Sequence, residues 1–373
     1  CDFFSVAAAG WDIDATLEAV LAEARVRAPR NPRMVFIGGG TPSLLSHAQL
    51  EDFLNGLEAC TSFRSSAVET TIEANPESVD RDKVLVMLDG GVNRLSIGFQ
   101  SLEPKTLQLF GRVHAVEDSF RAYEAARSAG MKNINLDMIY ASPEHRARDW
   151  EQALQTVLDL EPEHLSAYNL AFEEETVFSR WLKSGKLKAL PEDVELEMFG
   201  ITRRITSERG LNAYEISNYA RDGKTCLHNE NYWANGSYVG IGPSAVSYVN
   251  GVRFGSPRDI NDYGKRIQEC GAACTWSEKL SPLARLGETW WLGLRRSSGV
   301  TPAVARRDTG YEVPDDPMLQ IARSLVSHGL LREDGETFYL TSKGLPLADR
   351  VASEFLVTQD EPDSATLVPP TQG

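Results

Sequence analysis

Short apolar runs alternate with longer helical patterns between Val35 and Leu170, and this repeat constrains the fold more than any other feature. Each run has the length of a buried strand, and the repeat has a period of roughly 25 to 40 residues. Such a βα repeat is typical of a parallel sheet or barrel. The predicted strands cover residues 34–37, 68–73, 93–97, 134–139 and 165–170.

Polar or glycine-rich residues follow each predicted strand at its C-terminal end. In a βα barrel these ends converge on one mouth, where the chemistry is located. A further strand preceding Cys1 would complete a set of six and would place Cys1 in the first loop at that mouth. We therefore predict an α/β fold built on a partial (β/α)6 barrel whose first strand is missing from the sequence.

The βα rhythm stops after about Tyr248. Residues 283–296 and 316–329 have helical patterns, and a short hairpin turning at Asp334-Gly335 follows before a last helix. Helix, hairpin and helix in this order indicate a small α+β domain resembling a winged helix. The predicted domains are 1–247 and 248–358. The acidic, proline-containing end at 359–373 is predicted to be disordered.

Composition narrows the classes of partner. The 373 residues include 38 basic and 53 acidic side chains, a formal net charge of −15. A chain this acidic is a poor match for nucleic acid, because phosphate binding needs a basic face. No apolar run reaches the length of a membrane span. The five cysteines do not have the spacing of a disulfide framework. We therefore expect a protein of the reducing cytoplasm.

Ordered motifs then point to a family. Cys1-Asp2-Phe3, followed by Phe36-Ile37-Gly38-Gly39-Gly40-Thr41-Pro42-Ser43, resembles the radical S-adenosylmethionine (SAM) superfamily. Within it the chain is similar to the group that contains oxygen-independent coproporphyrinogen III oxidase and the heme chaperone HemW. The resemblance runs from Cys1 to at least Ala245.

The family signature is Cys-x3-Cys-x2-Cys in the first loop, and Cys1 matches its third cysteine. The resemblance implies that three thiolates hold a 4Fe-4S cluster whose open iron binds the amino and carboxylate groups of SAM. The first two cysteines are expected upstream of Cys1, so we interpret the sequence as N-terminally truncated.

The resemblance also implies a set of SAM-binding residues at the strand ends. The glycine loop lets the backbone approach the methionine amino group of SAM. The Glu73 carboxylate can accept hydrogen bonds from the ribose hydroxyls, and the Arg112 guanidinium can pair with the SAM carboxylate. Two alanines fall where the family packs backbone near the adenosine. The set comprises Gly39, Gly40, Thr41, Glu73, Gln100, Arg112, Asp137, Ala171 and Ala245.

One loop departs from the family pattern. After Ile139-Tyr140 the family usually continues Gly-Leu-Pro-Gly, whereas this chain has Ala141-Ser142-Pro143-Glu144. We therefore expect this loop to have its own shape, and no substrate contact is assigned to it.

Two features separate the relatives within the group. The oxidase resembles Cys-x3-Cys-x2-Cys-x-Cys, and this chain has Phe3 where the last cysteine would stand. His228-Asn229-Glu230-Asn231-Tyr232-Trp233 matches the His-Asn-x-x-Tyr-Trp pattern of the heme chaperone group. His228 could supply an imidazole to heme iron, and Tyr232 and Trp233 could stack on the porphyrin.

The resemblance thus implies a heme chaperone that carries a 4Fe-4S cluster and SAM and passes heme to acceptor proteins. The alternative is an oxygen-independent coproporphyrinogen III oxidase, which decarboxylates coproporphyrinogen III to protoporphyrinogen IX through a 5′-deoxyadenosyl radical. A radical SAM enzyme with another substrate stays open as well, so the sequence does not decide whether the chain is an enzyme. The one-electron chemistry of the family implies an electron donor such as a flavodoxin or ferredoxin.

Overall fold

The computed structural model describes residues 10–174 and 176–357, so Cys1 and the tail predicted at 359–373 lie outside the described residues. The twelve strands of this described part fall into three sheets. They are β1 (Met34–Ile37), β2 (Glu69–Ala74), β3 (Arg94–Gln100), β4 (Ile134–Tyr140), β5 (His164–Asn169), β6 (Asn212–Ala213), β7 (Asn218–Ala220), β8 (Val246–Val249), β9 (Val252–Gly255), β10 (Trp276–Lys279), β11 (Leu331–Asp334) and β12 (Thr337–Leu340).

The largest sheet has seven strands in the order β1-β2-β3-β4-β5-β7-β6. Its first five strands are parallel and adjacent in chain order, which confirms the five strands predicted from the apolar runs. The strands β7 and β6 continue the sheet in antiparallel orientation, an addition that the sequence analysis did not predict. These two strands have three and two residues, too few to carry a periodic signal.

The two faces of this sheet differ in chemistry because successive side chains of a strand point to opposite faces. The strand register places Glu73, Ser96, Asn135 and His164 side by side in one polar row. The opposite face is apolar and packs beneath the helices; Tyr140 on β4, for example, lies 5.3 Å from Trp150 between ring centroids. Its fully buried members include Ile72, Leu95, Ile97, Leu136 and Leu165.

Fifteen helices are described. They are α1 (Ile13–Arg27), α2 (His47–Thr61), α3 (Phe63–Ser66), α4 (Arg81–Asp89), α5 (Pro104–Leu109), α6 (Val116–Ala129), α7 (Ala147–Leu158), α8 (Val177–Lys183), α9 (Glu192–Glu208), α10 (Leu227–Trp233), α11 (Ile260–Cys270), α12 (Pro282–Gly293), α13 (Pro302–Thr309), α14 (Pro317–Ser327) and α15 (Ala348–Ser353). None of these described helices is both long enough and apolar enough to cross a membrane.

The start of α2 shows how local sequence sets an element. The backbone N–H of Gln49 donates to Ser46 Oγ over 3.2 Å, and the backbone N–H of Ser46 donates to Gln49 Oε1 over 3.0 Å. This reciprocal pair is a capping box, which satisfies backbone donors that a helix start leaves free. The helix then continues to Thr61.

The described chain forms two compact units. The first contains residues 33–55 and 63–226 with the seven-stranded sheet, and the second contains residues 10–32, 56–62 and 227–357. In the second unit β8, β9 and β10 form an antiparallel sheet, and β11 and β12 form a hairpin. An apolar core around Trp290 packs the helices that flank this hairpin against it. The Trp290 ring stacks on Phe355 with ring centroids 4.9 Å apart.

Candidate functional site

The loop after β1 brings backbone close to a carboxylate. The N–H of Gly39 donates to Glu73 Oε2 over 3.2 Å, and Gly39 has a φ of +103° that favours glycine. A side chain at Gly38 would meet Glu73 Oε2 at 2.7 Å, whereas Gly39 and Gly40 face open space within 4 Å. Gly38 thus permits the close approach of Glu73, a role that the sequence analysis did not assign.

Asn75 connects the glycine loop to the candidate arginine. Its Nδ2 donates to Thr41 Oγ1 over 3.2 Å, and Arg112 Nη1 donates to Asn75 Oδ1 over 3.3 Å. Burial lowers the pKa of the Arg112 guanidinium, and the carboxylates of Glu77 and Asp137 act against that shift. Asn75 was not among the predicted site residues, although its place at the end of β2 was a usable signal.

Two carboxylates lie close together on the polar face. Burial, followed by the negative charge of Asp137, raises the pKa of Glu73 to about 7, against the opposing effects of the Gly39 N–H and of Arg94. Asp137 Oδ2 accepts a hydrogen bond from Ser96 Oγ over 3.0 Å. The site therefore offers a carboxylate whose charge changes near neutral pH beside one that is held by hydrogen bonds.

Gln100 and Ala171 lie at the C-terminal ends of β3 and β5. Gln100 is buried, has a φ of +65° and sits at an irregularity in the pairing of β3 with β4. Ala171 is exposed two residues beyond the end of β5. Ala245 belongs to the second unit, where its N–H donates to Gly242 O over 3.2 Å.

The residues of the first unit are chemically suited to SAM, the ligand that the resemblance implies. Open space at Gly39 and Gly40, two carboxylates and a guanidinium at one sheet edge match the amino, hydroxyl and carboxylate groups of SAM. Contacts or charge effects link Gly39, Thr41, Glu73, Arg112 and Asp137, while Gln100 and Ala171 share only the strand-end location. For the cluster, Cys1 lies outside the described residues, and no group of three metal-ligating side chains occurs within them.

The predicted heme residues lie together on α10 in the second unit. The rings of His228 and Tyr232 meet edge to face with centroids 4.6 Å apart, and Tyr232 meets Tyr238 at 4.5 Å. Both His228 and Tyr232 are partly exposed. Trp233 instead lies under the guanidinium of Arg295 at 4.7 Å. Among the described residues its indole Nε1 has no hydrogen-bond partner.

This arrangement gives α10 an exposed aromatic surface with an imidazole in it. Burial, followed by the neighbouring Tyr238, raises the pKa of Tyr232 to about 12, so its phenol stays protonated at neutral pH. Neutral imidazole is a common ligand of heme iron. The structure thus brings the rings of His228 and Tyr232 together and places Trp233 against a cation.

Comparison with known proteins identifies relatives of this chain. Residues 1–157 match the family model of the Radical SAM superfamily. The heme chaperone HemW of Bacillus subtilis is 33% identical over 324 residues, which cover 87% of this chain and 85% of that protein. The heme chaperone HemW of Lactococcus lactis is 32% identical over 364 residues, 96% of this chain and 93% of that protein.

A solved structure shares the fold. The structure of coproporphyrinogen III oxidase (HemN) from Escherichia coli, a radical SAM enzyme, covers 95% of this chain and 86% of its own, with a TM-score of 0.81 at 22% identity. At this identity the likeness concerns the fold alone. On the sequence relatives, the chain belongs to the radical SAM superfamily and, within it, to the family of the heme chaperone HemW.

Proposed function

We propose that this protein is a heme chaperone that binds heme and passes it to acceptor proteins. The observation that carries the proposal is the His228–Tyr232 ring pair on the partly exposed helix α10. The named function of the HemW relatives supports it.

His228 is the proposed iron ligand. The alternative oxygen ligand on the helix is the Tyr232 phenol, and burial disfavours its phenolate form further by raising its pKa from the ordinary 10 to about 12. Tyr232 then contributes its ring, which packs against His228 and offers an edge or face to a porphyrin. Trp233 is proposed to contact the porphyrin too, with Arg295 holding its indole.

The proposal includes SAM in the first unit. The glycine loop would hold its amino group, Arg112 its carboxylate, and Glu73 and Asp137 its ribose hydroxyls, with Ala171 packing near the adenosine. The role of Ala245, which belongs to the second unit, stays a prediction. Cys1, with two cysteines expected upstream, would ligate a 4Fe-4S cluster. When bound, these groups supply one-electron cleavage of SAM; in a chaperone they would serve an accessory or regulatory role, with a flavodoxin or ferredoxin as the electron donor.

Several structural expectations belong to the same proposal. We propose that the parallel strands form part of a (β/α)6 barrel and that α14, β11, β12 and α15 form a winged-helix-like domain. The domain bounds 1–247 and 248–358, a cytoplasmic location and the absence of a nucleic-acid partner stay predictions. Fractionation of cells that express the protein tests the location.

A transfer experiment tests the function. The heme-loaded protein is mixed with a heme-free b-type cytochrome, and the Soret spectra of the two proteins are followed after separation. A chaperone delivers heme stoichiometrically without consuming SAM. The oxidase alternative predicts instead that coproporphyrinogen III yields carbon dioxide and 5′-deoxyadenosine under reducing, anaerobic conditions. That second result would contradict the proposal.

A further inference from the structure

A chain of buried hydrogen bonds crosses the polar face of the seven-stranded sheet and ends at Asp137. Tyr214 Oη lies 2.9 Å from His164 Nε2, and His164 Nδ1 lies 2.6 Å from Asn135 Oδ1. Asn135 Nδ2 in turn donates to Asp137 Oδ1 over 2.8 Å. All four residues belong to the first unit.

We propose that His164 and Asn135 are positioning residues that orient the Asp137 carboxylate for the ribose hydroxyls of an S-adenosyl ligand. This inference rests on the proposed SAM site and deepens it. Neither residue was predicted to take part in the site.

The charge of Asp137 sets the direction of every bond in the chain. An ionised carboxylate only accepts hydrogen bonds, so the amide group of Asn135 that faces it must be the NH₂. Asn135 Oδ1 then faces His164, and an oxygen acceptor requires the imidazole proton to sit on Nδ1. His164 Nε2 is left as an acceptor and takes the hydroxyl proton of Tyr214.

Further contacts remove the remaining freedom of the carboxylate. Ser96 Oγ donates to Asp137 Oδ2 over 3.0 Å and accepts from Asn135 Nδ2 over 2.7 Å. Ser166 Oγ donates to Asn135 Oδ1 over 3.1 Å. Each Asp137 oxygen thus has one fixed donor, which sets the plane of the carboxylate and leaves a second lone pair on each oxygen for a ligand.

Burial makes the arrangement rigid. Ser96, Asn135, His164 and Ser166 are all buried, whereas Asp137 keeps partial exposure toward a ligand. Burial and the positive charge of Arg94 hold the pKa of His164 well below its usual range, so the imidazole stays neutral. A buried network with every member satisfied holds one geometry, and leaving a member unpaired is costly.

Two substitutions of His164 separate positioning from space filling. In His164→Asn the amide nitrogen takes the place of Nδ1 and can still donate to Asn135. In His164→Gln the amide reaches the position of Nε2 and meets Tyr214 only. Isothermal titration with S-adenosylhomocysteine measures binding to each folded variant, and Thr202→Val is the control.

Thr202 is a suitable control because its Oγ1 accepts a buried hydrogen bond from Trp150 Nε1 over 2.9 Å in the same unit, on the apolar side of the sheet. We expect the Kd of His164→Asn and Thr202→Val to stay within about threefold of wild type. We expect His164→Gln and Asn135→Leu to weaken binding about tenfold, as an unpaired buried group would. If wild type binds S-adenosylhomocysteine but His164→Asn and His164→Gln lose equal affinity, the inference about His164 is overturned while the proposed SAM site stands.

Wild-type protein that does not bind S-adenosylhomocysteine would overturn the proposed SAM site and this inference with it. A measurement on wild type alone keeps the inference testable even where variants fail to fold. A long-range ¹H–¹⁵N correlation spectrum reports which ring nitrogen of His164 carries the proton. We expect Nδ1; a proton on Nε2 would reverse the chain of donors and overturn the inference.

Discussion

The backbone N–H of Gly39 and the Glu73 carboxylate lie 3.2 Å apart, and this contact joins the first glycine loop to the end of the neighbouring strand. It places a carboxyl whose pKa is raised to about 7 beside a backbone donor. The same carboxyl faces the charge of Asp137, which accounts for part of the shift. The charge of Glu73, which contacts the glycine loop, therefore changes near neutral pH.

The first prediction concerns stability and pH. Below the ordinary pKa of 4.5, Glu73 is protonated in both the folded and the unfolded chain, and above that value the unfolded chain loses its proton first. The folded state keeps its proton until about pH 7, so rising pH favours unfolding over this interval. Relative to wild type, Glu73→Gln should gain on the order of 2 kcal/mol of unfolding free energy between about pH 5 and about pH 8.

Urea unfolding at the two pH values measures this gain. Glu197→Gln on the exposed side of α9 is the matched control and should change stability equally at both. A pH dependence of Glu73→Gln that is identical to that of wild type would show that the carboxyl is not held as described.

The second prediction separates the glycines of the loop. A methyl group at Gly38 would overlap Glu73 Oε2 at 2.7 Å, while one at Gly40 meets nothing within 4 Å. Gly38→Ala should lower the unfolding free energy by about 1 kcal/mol because the Glu73 carboxylate and the Phe36 ring, also at 2.7 Å, must move. Gly40→Ala should stay within about 0.5 kcal/mol of wild type. Equal costs for the two variants, measured by urea unfolding, would refute the close approach at Gly38.

The third prediction concerns the loop that departs from the family pattern. Ala141 and Glu144 both adopt left-handed backbone, with φ of +60° and +67°, at the two positions where the family has glycine. The loop therefore keeps a glycine-type backbone without glycine. Ala141→Gly and Glu144→Gly should each stabilise the fold by about 0.5–1 kcal/mol, since relief of strain exceeds the entropy cost.

Ala153→Gly, inside helix α7, is the control with the opposite expected sign, because glycine within a helix should destabilise the fold by about 1 kcal/mol. Thermal or urea unfolding of the three variants gives the sign directly. Loss of stability in both loop variants would mean that Ala141 and Glu144 are not strained.

The fourth prediction concerns Tyr232. Its ring packs on His228 at 4.6 Å between centroids, and its phenol stays protonated at neutral pH. If the ring matters and the oxygen does not, Tyr232→Phe should change hemin affinity less than about threefold. Tyr232→Ala should weaken it about tenfold, because His228 loses its packing partner. Hemin binding followed at the Soret band measures both, and a large loss in Tyr232→Phe would point to the oxygen.

The sequence predicted the strands and the strand-end residues because both follow from local pattern. The five parallel strands carry apolar runs, and Glu73, Gln100 and Asp137 lie at or near their ends. The contacts that join such residues in the first unit cannot be predicted from local sequence pattern. Asn75 meets Arg112 across 37 positions of sequence.

His164 shows the same limit more sharply. No neighbouring motif in the sequence marks this isolated histidine as a site residue. Its partners Asn135 and Tyr214 lie 29 and 50 positions away, and strand register alone brings Asn135 beside it. The short strands β6 and β7 were missed for a related reason, because two or three residues show no alternation.

Hemin titration of the wild-type protein, His228→Ala and His328→Ala tests the central claim most directly. His328 is an exposed histidine of the same unit, so its loss controls for the number of imidazoles. We expect saturation at about one heme per chain for wild type and His328→Ala, and about tenfold or more weaker binding for His228→Ala. Hemin binding by folded His228→Ala that is as tight as wild type, or binding that does not saturate, would contradict it.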